Sequence, residues 1–381
     1  MAKILVLGGG FGGLAAATAL RQRLDDQHRI VVIDQRDHFY MGFAKLWDLA
    51  GTRPLSAGTR SLQNLESHRI EFLQARITGI DAAERRVDTT NGALDADAVV
   101  IALGAGPAPR HAAMLAGPGA HDLYDGTAIP AIRADLEALR GGRVVVSVLG
   151  GPYKCPPAPF EGALIVDQLL RRHGTRDDVE VVMTTPMATT LPVAGVDAST
   201  YVAERLSDHG ITLLTEHVVD RVDGDARTVS FGNGATESYD VLLGVPANVA
   251  PAVVHDGELV GGSGWIEPDR HTMRTTWDRV YAVGDCVHIP TATGALPMAG
   301  VFAAACGEVA AANVAADLGV GDGASYDGHG YCFLELPDEK VAFVEGDFYA
   351  DPPEVSLTEA DEEQFRRKQA YELQSLDAWL P

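Results

Sequence analysis

The sequence predicts an α/β protein built from two Rossmann-like dinucleotide-binding domains, the first interrupted by the second, with a small α+β domain after them. Three observations predict it. A short apolar strand, Ile4 to Leu7, runs straight into Gly8-x-Gly10-x-x-Gly13 and an Ala-rich helix, Leu14 to Leu24. A second apolar run, Val144 to Leu149, ends in Gly150-Gly151 and leads through a proline-rich loop to another helix. Beyond about Ser325 the pattern changes to antiparallel strands and one terminal helix. The expected divisions are 1–105 and 246–315 for the interrupted domain, 106–245 for the inserted one and 316–381 for the last.

In the first segment each glycine has a physical role. Gly8 permits the tight turn, Gly10 lets the backbone approach a pyrophosphate, and Gly13 lets helix and strand pack closely, while the helix N-terminus faces the phosphate charge. The next strand, Ile30 to Ile33, ends in Asp34, roughly 20 residues past Gly13, where an acidic side chain meets ribose hydroxyls.

The inserted segment starts like a second dinucleotide turn and then departs from it. Pro152, Pro156, Pro157 and Pro159 remove backbone N–H groups where a pyrophosphate needs donors, and they are expected to delay the helix until about Phe160. Among them sits Cys155, in a loop at the carboxyl end of a strand, where ligands bind in open α/β sheets. Strands at Val179–Met183 and Ile211–Leu214, a helix near Ala198–His209 and a hairpin around Gly232-Asn233-Gly234 complete this domain. In the last segment His329 to Leu336 and Lys340 to Phe343 read as antiparallel strands, and a helix is expected from a Thr358-x-x-Asp361 cap.

Bulk properties bound the function. A length of 381 residues suits two or three domains, and 46% hydrophobic with 22% charged residues is ordinary for a globular chain. A formal net charge of -23 argues against nucleic acid or an anionic membrane surface as partner. No apolar run reaches the roughly 18 residues of a membrane span, and the first strand follows Met1-Ala2-Lys3 directly, so a cytoplasmic location is expected. Four cysteines, at 155, 286, 306 and 332, are too few and too scattered for a disulfide scaffold or a zinc site.

Two further stretches resemble signatures of the FAD-binding domain of flavoproteins with two dinucleotide domains. Asp97 to Ala105 is an apolar strand ending in Ala102-Leu103-Gly104, and Val280 to Asp285 ends in Gly284-Asp285. That resemblance closes the Ala102–Gly104 turn over the cofactor and places Asp285 on the sugar-alcohol chain of the flavin. Met298 and Ala299 then lead into an Ala-rich helix, to about Leu318, whose N-terminal dipole favours negative charge on reduced flavin.

Together with Lys154-Cys155-Pro156-Pro157-Ala158-Pro159-Phe160-Glu161 and Gly330-Tyr331-Cys332-Phe333, these motifs resemble the sulfide:quinone oxidoreductases and the flavoprotein subunit of flavocytochrome c sulfide dehydrogenase, across nearly the whole chain. The resemblance implies FAD, a redox pair formed by Cys155 and Cys332, a small sulfur substrate, and a quinone or soluble electron acceptor. Thiolates carry such chemistry, so each cysteine needs a depressed pKa or a nearby proton acceptor. Glu161 is the candidate base; as a first-turn carboxylate it also suits the helix dipole. Cys286 and Cys306 read as small buried hydrophobes.

Three departures qualify the resemblance. No third cysteine lies within residues 106–150, no cysteine lies at His38 to Gly42, so FAD is expected to be noncovalent, and Met298 stands where relatives carry a lysine. In the terminal helix Phe365, Leu373, Leu376 and Leu380 share one face beside Trp379; an intramolecular or homodimer contact is favoured there over a peripheral membrane foot, because the opposite face is acidic. The competing class is an NAD(P)H-dependent reductase, of the type II NADH dehydrogenase or ferredoxin reductase kind, against which Gly150-Gly151-Pro152 stands.

Overall fold

Apolar runs bounded by turn residues become the strands of two five-stranded sheets in the computed structural model, which describes residues 1–381. In chain order the elements that position the site are β1 (Lys3–Leu7), α1 (Phe11–Arg23), β2 (Arg29–Asp34), α2 (Ala44–Ala50), β3 (Glu71–Gln74) and β4 (Ala98–Ile101). There follow β5 (Ala120–Asp122), β6 (Gly142–Val148), α3 (Ala158–His173), β7 (Val179–Thr184), α4 (Gly195–Asp208), β8 (Thr212–Leu214) and β9 (Val241–Val245). Last come β10 (Val280–Ala282), α5 (Gly300–Asp317), β11 (His329–Leu336), β12 (Lys340–Asp347), β13 (Glu354–Leu357) and α6 (Glu362–Trp379).

The first sheet has the order β10-β4-β1-β2-β3 and the second β5-β9-β6-β7-β8. Every pairing in both is parallel. β10 therefore rejoins the first sheet after the second has been built. Sheets of this kind are covered on both faces, which is why their strands read as unbroken apolar runs. β11, β12 and β13 form a separate antiparallel sheet.

Three expected boundaries shift for identifiable reasons. α1 begins at Phe11, not Leu14, with Gly10 as its N-cap, so Gly12 and Gly13 lie inside its first turn. A Cβ on Gly13 would overlap the Gly8 carbonyl, and one on Gly307 of α5 would overlap the Gly12 carbonyl, so these glycines let α1 lie against both β1 and α5. α3 begins at Ala158, two residues before Phe160: Pro157 is its N-cap and Pro159 occupies the first turn, where no backbone donor is needed. The prolines start that helix instead of delaying it. The terminal helix is capped by Asp361, which accepts from the Gln364 N–H, whereas Thr358 Oγ1 accepts from the Phe343 N–H at 3.1 Å.

The apolar stripe of α6 faces inward. Phe365, Leu376, Trp379 and Leu380 join the main core, with Trp379 packed edge-on against Phe11 and Phe39, while Leu373 stays 51% exposed. Glu372, fully buried on the same helix, pairs with Arg53 at 2.5 Å. No helix is long and apolar enough to cross a membrane.

Candidate active site

A cavity of about 1230 Å³ is lined by loops from both parallel sheets and by the N-terminal ends of α1, α3 and α5. Gly8, Gly10, Asp34, Ala102, Gly104, Gly284, Asp285, Met298, Ala299, Cys155 and Glu161 all line it. Gly13 lies behind it, against Gly8. The residues expected to hold a dinucleotide thus share one chamber with the thiol loop.

The chamber suits FAD on its own geometry. Gly8, at φ 110°, abuts the Ala102 carbonyl, while nothing lies within 4 Å of where a Cβ on Gly10 or Gly104 would stand, so backbone is left bare to a ligand. Asp34 accepts from the Gly9 N–H at 2.7 Å and pairs with Arg36 at 3.0 Å. Burial pushes the Asp34 carboxyl up, but the hydrogen bond and charge of Arg36 outweigh it and hold the group ionised. Asp285 faces the chamber with no hydrogen bond to its carboxylate from the protein, and burial raises its pKa, which suits an acceptor waiting for ligand hydroxyls. Gly8, Gly10 and the α1 N-terminus would hold the pyrophosphate, Asp34 the ribose, Asp285 the sugar-alcohol chain, and the α5 N-terminus at Ala299–Gly300 the flavin.

The thiol loop is fixed from several directions. Cys155 sits at φ 47°, a conformation that costs a non-glycine residue about 1–2 kcal/mol and needs outside support. Its N–H donates to the Met298 carbonyl at 2.7 Å, tying the loop to the entrance of α5. The Lys154 N–H donates to Asn248 Oδ1 at 3.0 Å, and Asn248 donates its own N–H to the Pro152 carbonyl at 2.6 Å. The Tyr124 hydroxyl donates to the Lys154 carbonyl at 2.7 Å, so a phenol supports the loop in the segment that lacks a third cysteine.

Cys332, on β11, is brought against Cys155, and both thiols are free. Hydrogen bonding with Cys332 is the largest influence on Cys155; with burial and the charge of Glu161 it raises the Cys155 pKa well above the ordinary thiol value. Of the two devices that chemistry permits, a depressed pKa or a nearby proton acceptor, the first is absent at Cys155. Cys286 and Cys306 are buried elsewhere, each pushed up to about 12 by burial, as inert thiols are.

Behind the cysteines Glu161 joins an ionic group whose other members, Glu335 and Lys368, sequence reasoning missed. Glu161 is 1% exposed and accepts the Glu335 N–H at 2.6 Å. Lys368 of α6, also 1% exposed, sits 2.6 Å from Glu335 and 3.7 Å from Glu161, under the rings of Phe43 and Trp47. Trp47 Nε1 donates to Glu335 at 2.9 Å. Burial raises Glu161 to about 7 against the opposing pull of Lys368, which poises it to take or give a proton near neutrality. A signal for this group exists in composition: the chain has only five lysines against 25 arginines, and three of the five, Lys45, Lys154 and Lys368, surround the thiols.

With this geometry in hand, comparison identifies the class. The profile of the family described as pyridine nucleotide-disulphide oxidoreductase matches residues 2–299. The chain belongs to that family and is an FAD-dependent oxidoreductase. More particularly, it is similar to the mitochondrial sulfide:quinone oxidoreductase of Mus musculus, 24% identical over 388 residues that span 93% of this chain and 80% of the relative. The corresponding protein of Dictyostelium discoideum is 24% identical over 362 residues, spanning 90% and 77%. In fold it matches the sulfide:quinone oxidoreductase of Aquifex aeolicus, with a TM-score of 0.88 at 20% identity, covering 100% of this chain and 92% of that one.

Proposed function

We propose that this protein oxidises sulfide through Cys155 and Cys332, with FAD held noncovalently and a quinone as final acceptor. The observation that carries this is the meeting of two thiols from remote segments at the wall of the dinucleotide chamber, backed by the buried carboxylate of Glu161. Cys155 is the only cysteine lining that chamber, which leaves no second thiol to tether the cofactor. The names of the similar proteins agree with the substrate and acceptor. The division into residues 1–105 with 246–315, 106–245 and 316–381 belongs to the same proposal, since β10 and α5 complete the chamber that β1 and α1 begin.

The chemistry starts from the Cys155–Cys332 disulfide. Hydrosulfide attacks the sulfur of Cys155; a new S–S bond forms, the disulfide breaks, and its electron pair leaves on the Cys332 thiolate. A second sulfide removes the outer sulfur from Cys155 and leaves a second thiolate. Closing the disulfide again then releases two electrons. Bound FAD supplies the two-electron sink that links this step to the acceptor. Glu161 takes the proton that the hydrosulfide sulfur still carries once it has bonded to Cys155.

The deciding measurement is anaerobic. Sulfide alone is expected to bleach the visible flavin band, with colour restored by a soluble quinone analogue. Bleaching by NADH alone would overturn the proposal in favour of a reductase. Against that second reading, the Gly150 turn is filled by His111, whose ring would overlap a Cβ there and whose Nδ1 accepts the Ala247 N–H at 3.0 Å.

The role of Glu161 predicts a pH dependence. Its ionised form is the base, so the rate of bleaching is expected to rise through about pH 7. Because hydrogen sulfide ionises in the same range, the informative comparison is Glu161→Gln: a rate lower by about 100-fold, with the Glu161 limb gone and only the limb of sulfide itself remaining. An unchanged profile in stopped-flow traces removes Glu161 from the mechanism.

A further inference from the structure

The wall of the chamber near Cys155 carries two ammonium groups with no carboxylate within ion-pair distance. Lys45, on α2, uses one of its three donors on the Tyr124 carbonyl, at 2.5 Å. Lys154 uses one of its three on the Ala105 carbonyl, at 2.6 Å. Both line the chamber, and neither makes an ion pair, in contrast to Lys368, which two glutamates flank. The acids nearest the two lysines act on them only from beyond ion-pair distance: Asp122 accepts the Tyr124 N–H at 2.7 Å, Asp125 accepts both the N–H and the hydroxyl of Thr127, and Asp285 faces the chamber near Lys154.

Such a pair is unfavourable by itself. Burial first, and then the charge of Lys154, lower the Lys45 pKa to about 8, while Asp122, Cys155 and Asp125 act on it in the opposite direction without restoring it. An unpaired, desolvated cation persists at a site when a ligand of opposite charge completes it. The pyrophosphate of a dinucleotide does not meet this need, because its place is the N-terminus of α1.

We propose that Lys45 and Lys154 form a small-anion pocket beside Cys155 that receives the sulfur nucleophile as its monoanion; this rests on the sulfide reading above. The four spare N–H donors hold hydrosulfide against the sulfur it attacks. Attack by the anion needs no prior proton transfer, and the bond made and the bond broken are those of the disulfide step already described. The pocket also takes other monoanions of similar size, for which thiocyanate is a non-reducing probe.

The test uses the FAD-loaded full chain. Thiocyanate is titrated by calorimetry and by its perturbation of the flavin spectrum, in parallel with sulfide bleaching. Lys45→Met is expected to raise the thiocyanate Kd and the sulfide concentration for half-maximal bleaching by about 10- to 100-fold, with the limiting bleaching rate changed only a few-fold. Lys45→Arg retains binding, and Lys154→Met weakens it independently should Lys45→Met fail to fold. Wild-type protein that binds no thiocyanate, or a folded Lys45→Met protein that binds both ligands as tightly as wild type, overturns the pocket. Should sulfide fail to bleach the wild type while thiocyanate binding still depends on Lys45, the sulfide reading falls and the pocket stands.

Discussion

Cys155→Ser is expected to abolish sulfide-driven bleaching, a loss of at least ~10³-fold in rate, while the protein stays yellow. The substitution exchanges sulfur for oxygen at a position whose backbone is held by Met298 and Tyr124, so the positive φ and the loop survive. Cys332→Ser is expected to behave the same way, because the disulfide that sulfide attacks needs both partners. Cys286→Ala and Cys306→Ala serve as comparisons: both thiols are buried away from the pair and their loss leaves bleaching intact. Bleaching of Cys155→Ser at the wild-type rate removes the thiol cycle from the proposal.

Lys368→Met carries the largest expected effect on stability. It leaves Glu161 and Glu335 buried with no cation, and breaking a buried pair in this way costs about 3–5 kcal/mol. The pH dependence has a definite sign. The folded pKa of Glu161, about 7, lies above its ordinary value of 4.5, so the contribution of Glu161 is complete below pH 4.5 and is lost as pH rises through 7. The pKa of Lys368 is raised, so its own contribution persists at neutral pH and is lost only in strong alkali. Without Lys368 the two carboxylates repel whenever both are ionised. The deficit in melting temperature is therefore expected to be larger at pH 8 than at pH 5, and bleaching activity shifts alkaline because the Glu161 pKa climbs further. An equal deficit at the two pH values contradicts this account.

The first βαβ unit is legible in the sequence because its constraints are local. Gly8, Gly10 and Gly13 answer steric demands within a few residues, and Asp34 follows at the distance one helix and one strand impose. Cys155 is legible for the same reason, as a thiol in a stiff loop at the end of a strand. The start of α3 is not, since a proline reads as a breaker until its place in the first turn is known. Glu335, Lys368 and Trp47 are hidden for a different reason. They come from β11, α6 and α2, and no periodicity within any one of these elements records that Trp47 and Lys368 meet Glu335 beside Glu161. The apolar stripe of α6 gives its inward face, yet the buried Lys368 and Glu372 on that helix read as solvent residues until their partners are seen.

The placement of Cys332 on β11 and Lys368 on α6 also orders events in time. Cys155 emerges from the ribosome well before either, and at ~5–20 residues per second the interval is on the order of ten seconds or more. Through that interval the glycine cradle, Asp34, Asp285 and α5 precede the partner thiol, and Glu161 lacks its counter-ion. On the mechanism proposed, a nascent or truncated chain ending before β11 thus carries the parts that would recognise a dinucleotide but lacks the second thiol. The proposed redox competence therefore waits for β11 and α6.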